Sequence, residues 1–155
     1  MDANTKRINH IKVKNTISNL EKNNIKAVYV ETKEEALTLF KTMVPPGSYT
    51  ATGGSMTLRD TGIIDYLMSD TDYHKEYKDA YDASFYVLSA NAITENGEIF
   101  QVDGRSNRVS AMLFGPEKVI VVAGINKLVP SLREAAVRVK NIAAPMNATR
   151  LCMDT

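Results

Sequence analysis

Lys118 to Ala123 reads Lys-Val-Ile-Val-Val-Ala, a continuous apolar run rich in β-branched side chains. A strand without polar alternation has no face to offer water. It is expected in the middle of a parallel sheet, with both faces covered. Parallel strands cannot be joined by tight turns and need crossover segments, usually helices.

The rest of the chain supplies those segments. Lys26 to Val30 reads as a short strand. Thr32 with Glu35 then forms a capping-box pattern, which satisfies free backbone N–H groups at a helix start. Ala36, Leu37, Phe40, Met43 and Val44 recur at helical spacing until Pro45-Pro46-Gly47 stops them. Tyr49 to Thr52 is a second strand that runs straight into Gly53-Gly54-Ser55, with Ser55 placed to cap a helix from Met56. Ser84 to Ser89 is a third strand. Ser131 and Glu134 form a second capping box before the stripe Leu132, Ala135, Ala136, Val139, Ile142 and Ala143, and Pro145 is expected to end that helix. Between the third strand and the apolar run, Glu95-Asn96-Gly97 marks a hairpin inside Asn91 to Val102. Asp103-Gly104 closes it. A helix from Ser106 to Leu113 follows, stopped by Gly115-Pro116. The order predicts an α/β fold: a mostly parallel sheet, helices on both faces and an inserted β-hairpin.

Two further segments read as helical. Thr5 to Asn24 carries Ile8, Ile11, Ile17 and Leu20 among Lys6, Arg7, Lys12, Lys14 and Lys22. Residues 1–24 are therefore expected to pack as an amphipathic helix on one domain of residues 25–155. Residues 62–82 read as helical pieces, with Tyr73, Tyr77 and Tyr81 on one face. That stripe and the basic first helix are the basis for expecting a homodimer.

Composition sets the remaining bounds. A chain of 155 residues suits one domain and needs no disulfide or metal to fold. A net charge of +1 argues against an electrostatic grip on nucleic acid. The single cysteine, Cys152, excludes an internal disulfide and fits a reducing cytoplasm. No apolar run is long enough for a membrane span. Neither a nucleotide P-loop nor a Gly-x-Gly-x-x-Gly turn is present, and two histidines without a nearby thiol or carboxylate motif make a catalytic zinc site a poor expectation.

Polar clusters follow the strands, where open α/β sheets bind ligands. Gly53, Gly54 and Ser55 follow one, and Asn91 and Thr94 another. Gly104, Asn107 and Arg108 follow the hairpin, and Gly124, Asn126 and Lys127 follow the apolar run. The glycine turn offers backbone N–H groups to an anion; Arg108 offers a fork and Lys127 a point charge. Asp103 is read as an acid or base, or as a cap for the helix after it. Glu95 is read as a general base or as a solvated turn carboxylate.

Six of these stretches resemble motifs of the lactate-utilisation (LUD) family. They are Ala51-Thr-Gly-Gly-Ser-Met-Thr-Leu58, Asn91-Ala-Ile-Thr94 with Gly97, and Val102-Asp-Gly104 with Asn107-Arg-Val109. Gly115-Pro116 with Val119, Gly124-Ile-Asn-Lys127, and Ala144-Pro-Met-Asn-Ala148 with Arg150-Leu151 complete the set. The resemblance implies a fold like that of ribose-5-phosphate isomerase, glucosamine-6-phosphate deaminase and the CoA transferases. It also implies a role beside iron–sulfur oxidoreductase subunits in oxidising L-lactate to pyruvate. No cofactor is then expected in this chain, the clusters lying in partner subunits or in the cysteine-rich C-terminal tail that many members carry. The alternative is a stand-alone enzyme or binding module for a small anionic metabolite of phosphosugar, acyl-CoA or folate type. One departure is Ser106, where a glycine often precedes the Asn-Arg pair, so this loop is expected to be stiffer.

Overall fold

A computed structural model describes residues 2–74 and 77–152, without the side chains of Ala3 and Tyr77. The elements in chain order are α1 (Ala3–Lys22), α2 (Lys33–Met43), β1 (Tyr49–Thr52), α3 (Met56–Asp60), α4 (Ile63–Asp70), β2 (Asp72–His74), β3 (Phe85–Leu88), β4 (Ala92–Thr94), β5 (Ile99–Phe100), α5 (Asn107–Leu113), β6 (Lys118–Val121), β7 (Leu128–Val129), α6 (Leu132–Arg138) and α7 (Ala144–Arg150). They form two compact units, each drawn from separate stretches of chain. One comprises Val30–Ser89 and Asp103–Ala123; the other comprises Met1–Tyr29, Ala90–Val102 and Gly124–Thr155.

The first unit is a parallel sheet in the order β2-β1-β3-β6. Successive side chains of a strand point to opposite faces, and β3 is buried on both. Phe85 and Val87 join Phe40, Val44, Leu58, Ile63, Tyr66 and Leu67, from α2, α3 and α4. Tyr86 and Leu88 join Ala51, Ala80, Ala83 and Ala111 on the other side. Leu67 is 0% exposed in the first cluster. Leu67→Ala is expected to lower stability by about 2–5 kcal/mol, through lost transfer energy and a cavity, read as a fall in the urea midpoint.

Three expectations fail, two in this unit and one in the segment Lys26–Val30, most of which belongs to the other. The run from Lys118 supplies β6, which pairs with β3 alone and forms an edge of the sheet, not its middle. Ile120 and Val122 pack against one cluster and Val121 against the other, but Lys118 and Val119 are exposed and Ile120 and Val121 only half-buried, so the expected cover on both faces is incomplete at this edge. Lys26–Val30 forms no strand: Val28 is 71% exposed, and without a ladder partner β-branched composition alone does not make a strand. The tyrosine stripe also dissolves. Tyr73 lies in β2, with its hydroxyl 2.8 Å from Thr52 Oγ1, while Tyr81 lies in a 3-10 segment and meets Ser110 Oγ at 2.8 Å. The side chain of Tyr77 lies outside the described residues. Pairing of β2 with β1 breaks the helical period on which the stripe depended, so the homodimer expectation loses that support.

In the second unit β4 pairs antiparallel with β5 and parallel with β7. The hairpin forms where expected, but as a three-residue loop rather than a two-residue Asn-Gly turn. Thr94 N donates to Glu98 O at 2.9 Å, Gly97 N donates to Thr94 O at 2.9 Å, and Gly97 has φ +82° while Asn96 is not left-handed. Helix α1 packs on this turn: Asn19 Nδ2 donates to Glu95 O at 2.8 Å, and Asn23 Nδ2 donates to Gly97 O at 2.9 Å. Asp2 caps α1 through Asn4 N and Thr5 N. Its buried residues are Val13, Thr16 and Leu20, whereas Ile8 and Ile11 are 55% and 53% exposed.

Pro145 does not end the final helix. A π turn over Val139–Ala143 widens the backbone, and Ala144 N donates to Val139 O, five residues back. That wider register accommodates the proline ring and its missing N–H near the start of α7.

Candidate functional site

The predicted residues fall into two groups, one in each unit. In the first unit Gly53, Gly54 and Ser55 leave the carboxyl end of β1. Ser55 Oγ accepts from Leu58 N at 3.4 Å, so the hydroxyl caps α3 as its position predicts. A Cβ on Gly53 would lie 2.9 Å from Tyr86 Oη and 3.0 Å from Arg108 Cδ. A side chain here would have to displace the Tyr86 hydroxyl and the Arg108 stem. At Gly54 and at Gly104 a Cβ would meet nothing within 4 Å.

Asp103 sits at the centre of this group, with its side chain 4% exposed. Its Oδ1 accepts from Arg108 Nε and Nη2, both at 2.6 Å. Its Oδ2 accepts from Val109 N at 2.7 Å. The carboxylate thus caps α5 and holds the guanidinium at once. It does the capping because Ser106, the residue at the N-cap, is left-handed (φ 59°, ψ 5°) and makes no side-chain cap bond. Arg108 lies over Gly53 with its charge met by Asp103. Asn107 opens α5, and its carbonyl accepts from Ser110 Oγ at 3.2 Å. The structure brings together Gly53, Asp103 and Arg108 and adds Tyr86, whose place inside an apolar strand gives no signal.

In the second unit Asn91 fastens the base of the hairpin. Its N donates to Gln101 Oε1 at 3.0 Å, and its Oδ1 accepts from Val102 N at 2.8 Å. Thr94 is buried and its hydroxyl meets the Glu98 carboxylate at 2.5 Å. Glu95 lies 3.6 Å from Lys12 Nζ, its backbone held by Val129 and Asn19. Gly124, Asn126 and Lys127 form a 3-10 turn closed by Lys127 N donating to Gly124 O at 3.0 Å. A residue outside the predicted set joins the two loops: Arg138 on α6 donates from Nη1 to Asn91 O at 2.6 Å and from Nε to Asn126 O at 3.2 Å. Burial pushes its guanidinium below the usual arginine range. Its helical spacing looks like that of any surface arginine, so nothing in its local pattern marks it.

Among the described residues no group of three or more His, Cys, Asp or Glu side chains has the arrangement to hold a metal ion. No helix among them is long and apolar enough to cross a membrane. Cys152 is exposed.

A family model described as LUD domain matches residues 13–155. Comparison with curated proteins gives no match, and neither does comparison with solved structures. All six motifs fall inside the matched range. The chain belongs to the LUD domain family, the lactate-utilisation family.

Proposed function

We propose that this chain is a component of an iron–sulfur-dependent system that oxidises L-lactate to pyruvate, and that it works beside iron–sulfur oxidoreductase subunits in the cytoplasm. The family match over residues 13–155 carries the reading. Oxidising the hydroxyl of lactate to a ketone releases two electrons and two protons, and in this reading clusters on the partner subunits take the electrons. The share of this chain is to hold and orient. Asp103 fixes Arg108 and the first turn of α5 beside Gly53 through three hydrogen bonds of 2.6 to 2.7 Å, which leaves the loop pre-set.

Affinity purification of the protein from its own cells under gentle washing, with mass spectrometry of what accompanies it, tests the proposal. Iron–sulfur oxidoreductase subunits are expected in the eluate. The protein alone, at good yield, would sink the reading. The second reading, a stand-alone protein for a small anionic metabolite of phosphosugar, acyl-CoA or folate type, is favoured by the open space at Gly54 and Gly104, where a ligand has direct access to main chain.

A further inference from the structure

Arg138 is set apart from the other arginine in these groups. Arg108 has its charge met by Asp103 at 2.6 Å. Arg138 makes two hydrogen bonds, both to backbone carbonyls, and no carboxylate pairs with it among the described residues. Its best internal partner would be Glu134, one helical turn earlier. Glu134 is engaged elsewhere, by the Ser131 hydroxyl that caps α6. A guanidinium carries five N–H donors, so three remain without an acceptor among the described residues, all on the two Nη atoms.

A charge partly withdrawn from water without a counter-charge is unfavourable, and burial already lowers the pKa of Arg138. The two carbonyls fix the plane of the group in advance. The side-chain amide of Asn126 is exposed and makes no hydrogen bond among the described residues, although its own carbonyl accepts from Arg138. The result is a pre-oriented planar donor with a free amide on the residue whose carbonyl it holds, both within one unit of the fold.

We infer that Arg138, with the Asn126 side chain beside it, binds the carboxylate of a small 2-hydroxy or 2-oxo acid. The fork matches the two oxygens of a carboxylate in its plane, which a point charge does not. The class of acid rests on the lactate-utilisation reading; the site rests on the surroundings of Arg138.

The test is titration of the isolated chain, without partner subunits, with pyruvate, L-lactate, methyl pyruvate and inorganic phosphate, followed by calorimetry or NMR shifts. Pyruvate or L-lactate is expected to bind, and the uncharged ester is not. Arg138→Lys keeps the charge and loses the fork, and is expected to weaken binding by about tenfold or more. Arg138→Gln is expected to abolish it, with circular dichroism confirming that each variant is folded. Asn126→Ala, which keeps the backbone carbonyl, is expected to weaken binding to a smaller extent. Three results overturn the inference: a wild-type chain that binds neither acid, Arg138→Gln with wild-type affinity, or phosphate bound while both acids are not. Should both Arg138 variants fail to fold, pyruvate is expected to protect Arg138 of the wild-type chain from phenylglyoxal, read by peptide mass; unprotected modification overturns the inference. Acid binding without iron–sulfur subunits in the purification would end the partner reading and leave this site standing, and the converse result would do the opposite.

Discussion

Asp103→Ala is expected to destabilise the protein by about 3–5 kcal/mol, the range for removing one partner of a buried ion pair. The side chain of Asp103 is 4% exposed and that of Arg108 is 24% exposed, so the lost attraction is poorly replaced by water. The same change leaves Val109 N without its acceptor at the start of α5, where Ser106 offers none. Two mechanisms therefore act together, and both lie on one side chain. A double-mutant cycle with Arg108→Ala separates them. The double variant is expected to lose less than the two single losses added, because with Arg108 also removed no guanidinium is left stranded by the loss of Asp103. Urea unfolding of the four proteins supplies the measurement. A loss under about 1 kcal/mol for Asp103→Ala would place the pair with ordinary exposed ion pairs and refute its structural role.

Local signals in the sequence were legible wherever a residue acts on its own neighbourhood. Thr32 caps α2 through Glu35 N at 3.1 Å, Ser131 caps α6, and Tyr49–Thr52 is a strand with the bounds its pattern implies. Glu95-Asn96-Gly97 forms the hairpin turn, and Asp103 turns out to be the cap of the helix that follows it. What the pattern could not carry is the identity of partners. The apolar run of β6 marks a strand but not its number of strand neighbours, and at the sheet edge it is left half-buried to exposed. Lys26–Val30 has the composition of a strand and no strand to pair with. Tyr73 was assigned to a helix by spacing, yet β1 recruits it into the sheet.

The site was legible in the same partial way. Gly53 and Arg108 were both singled out, but their contact depends on β1 and α5 meeting beside Tyr86, fifty-five residues apart in sequence (108 minus 53). Arg108 attracted notice as a free anion anchor, and its neutralisation by Asp103 across five residues has neither helical nor strand spacing to reveal it. Arg138 shows the opposite failure. It drew no notice because an arginine late in a helix is ordinary, and its significance comes from the loops it meets: Asn91 lies forty-seven residues away in sequence.

Gly97→Ala is expected to give the second large loss, from a residue with no side chain of its own. At φ +82° an L-residue in the left-handed region costs roughly 1–2 kcal/mol. A Cβ there would also lie 2.4 Å from Asn19 C, 2.5 Å from Leu20 N and 2.6 Å from Asn19 O. These are backbone atoms in the last turn of α1, so no side chain can rotate out of the way. The helix must back off from the turn, which strains the bonds that Asn19 and Asn23 make to it at 2.8 and 2.9 Å. The combined loss is expected to be on the order of 3 kcal/mol or more, a fall in Tm of roughly 10 °C for a chain of this size. Gly54→Ala is the matched control, because its φ is not positive and a Cβ there meets nothing within 4 Å. Its Tm is expected to stay close to that of the wild type. Equal melting of the two variants would show that α1 does not bear on the hairpin turn. A large gap would establish that the close approach of α1 to this turn is why the position holds glycine.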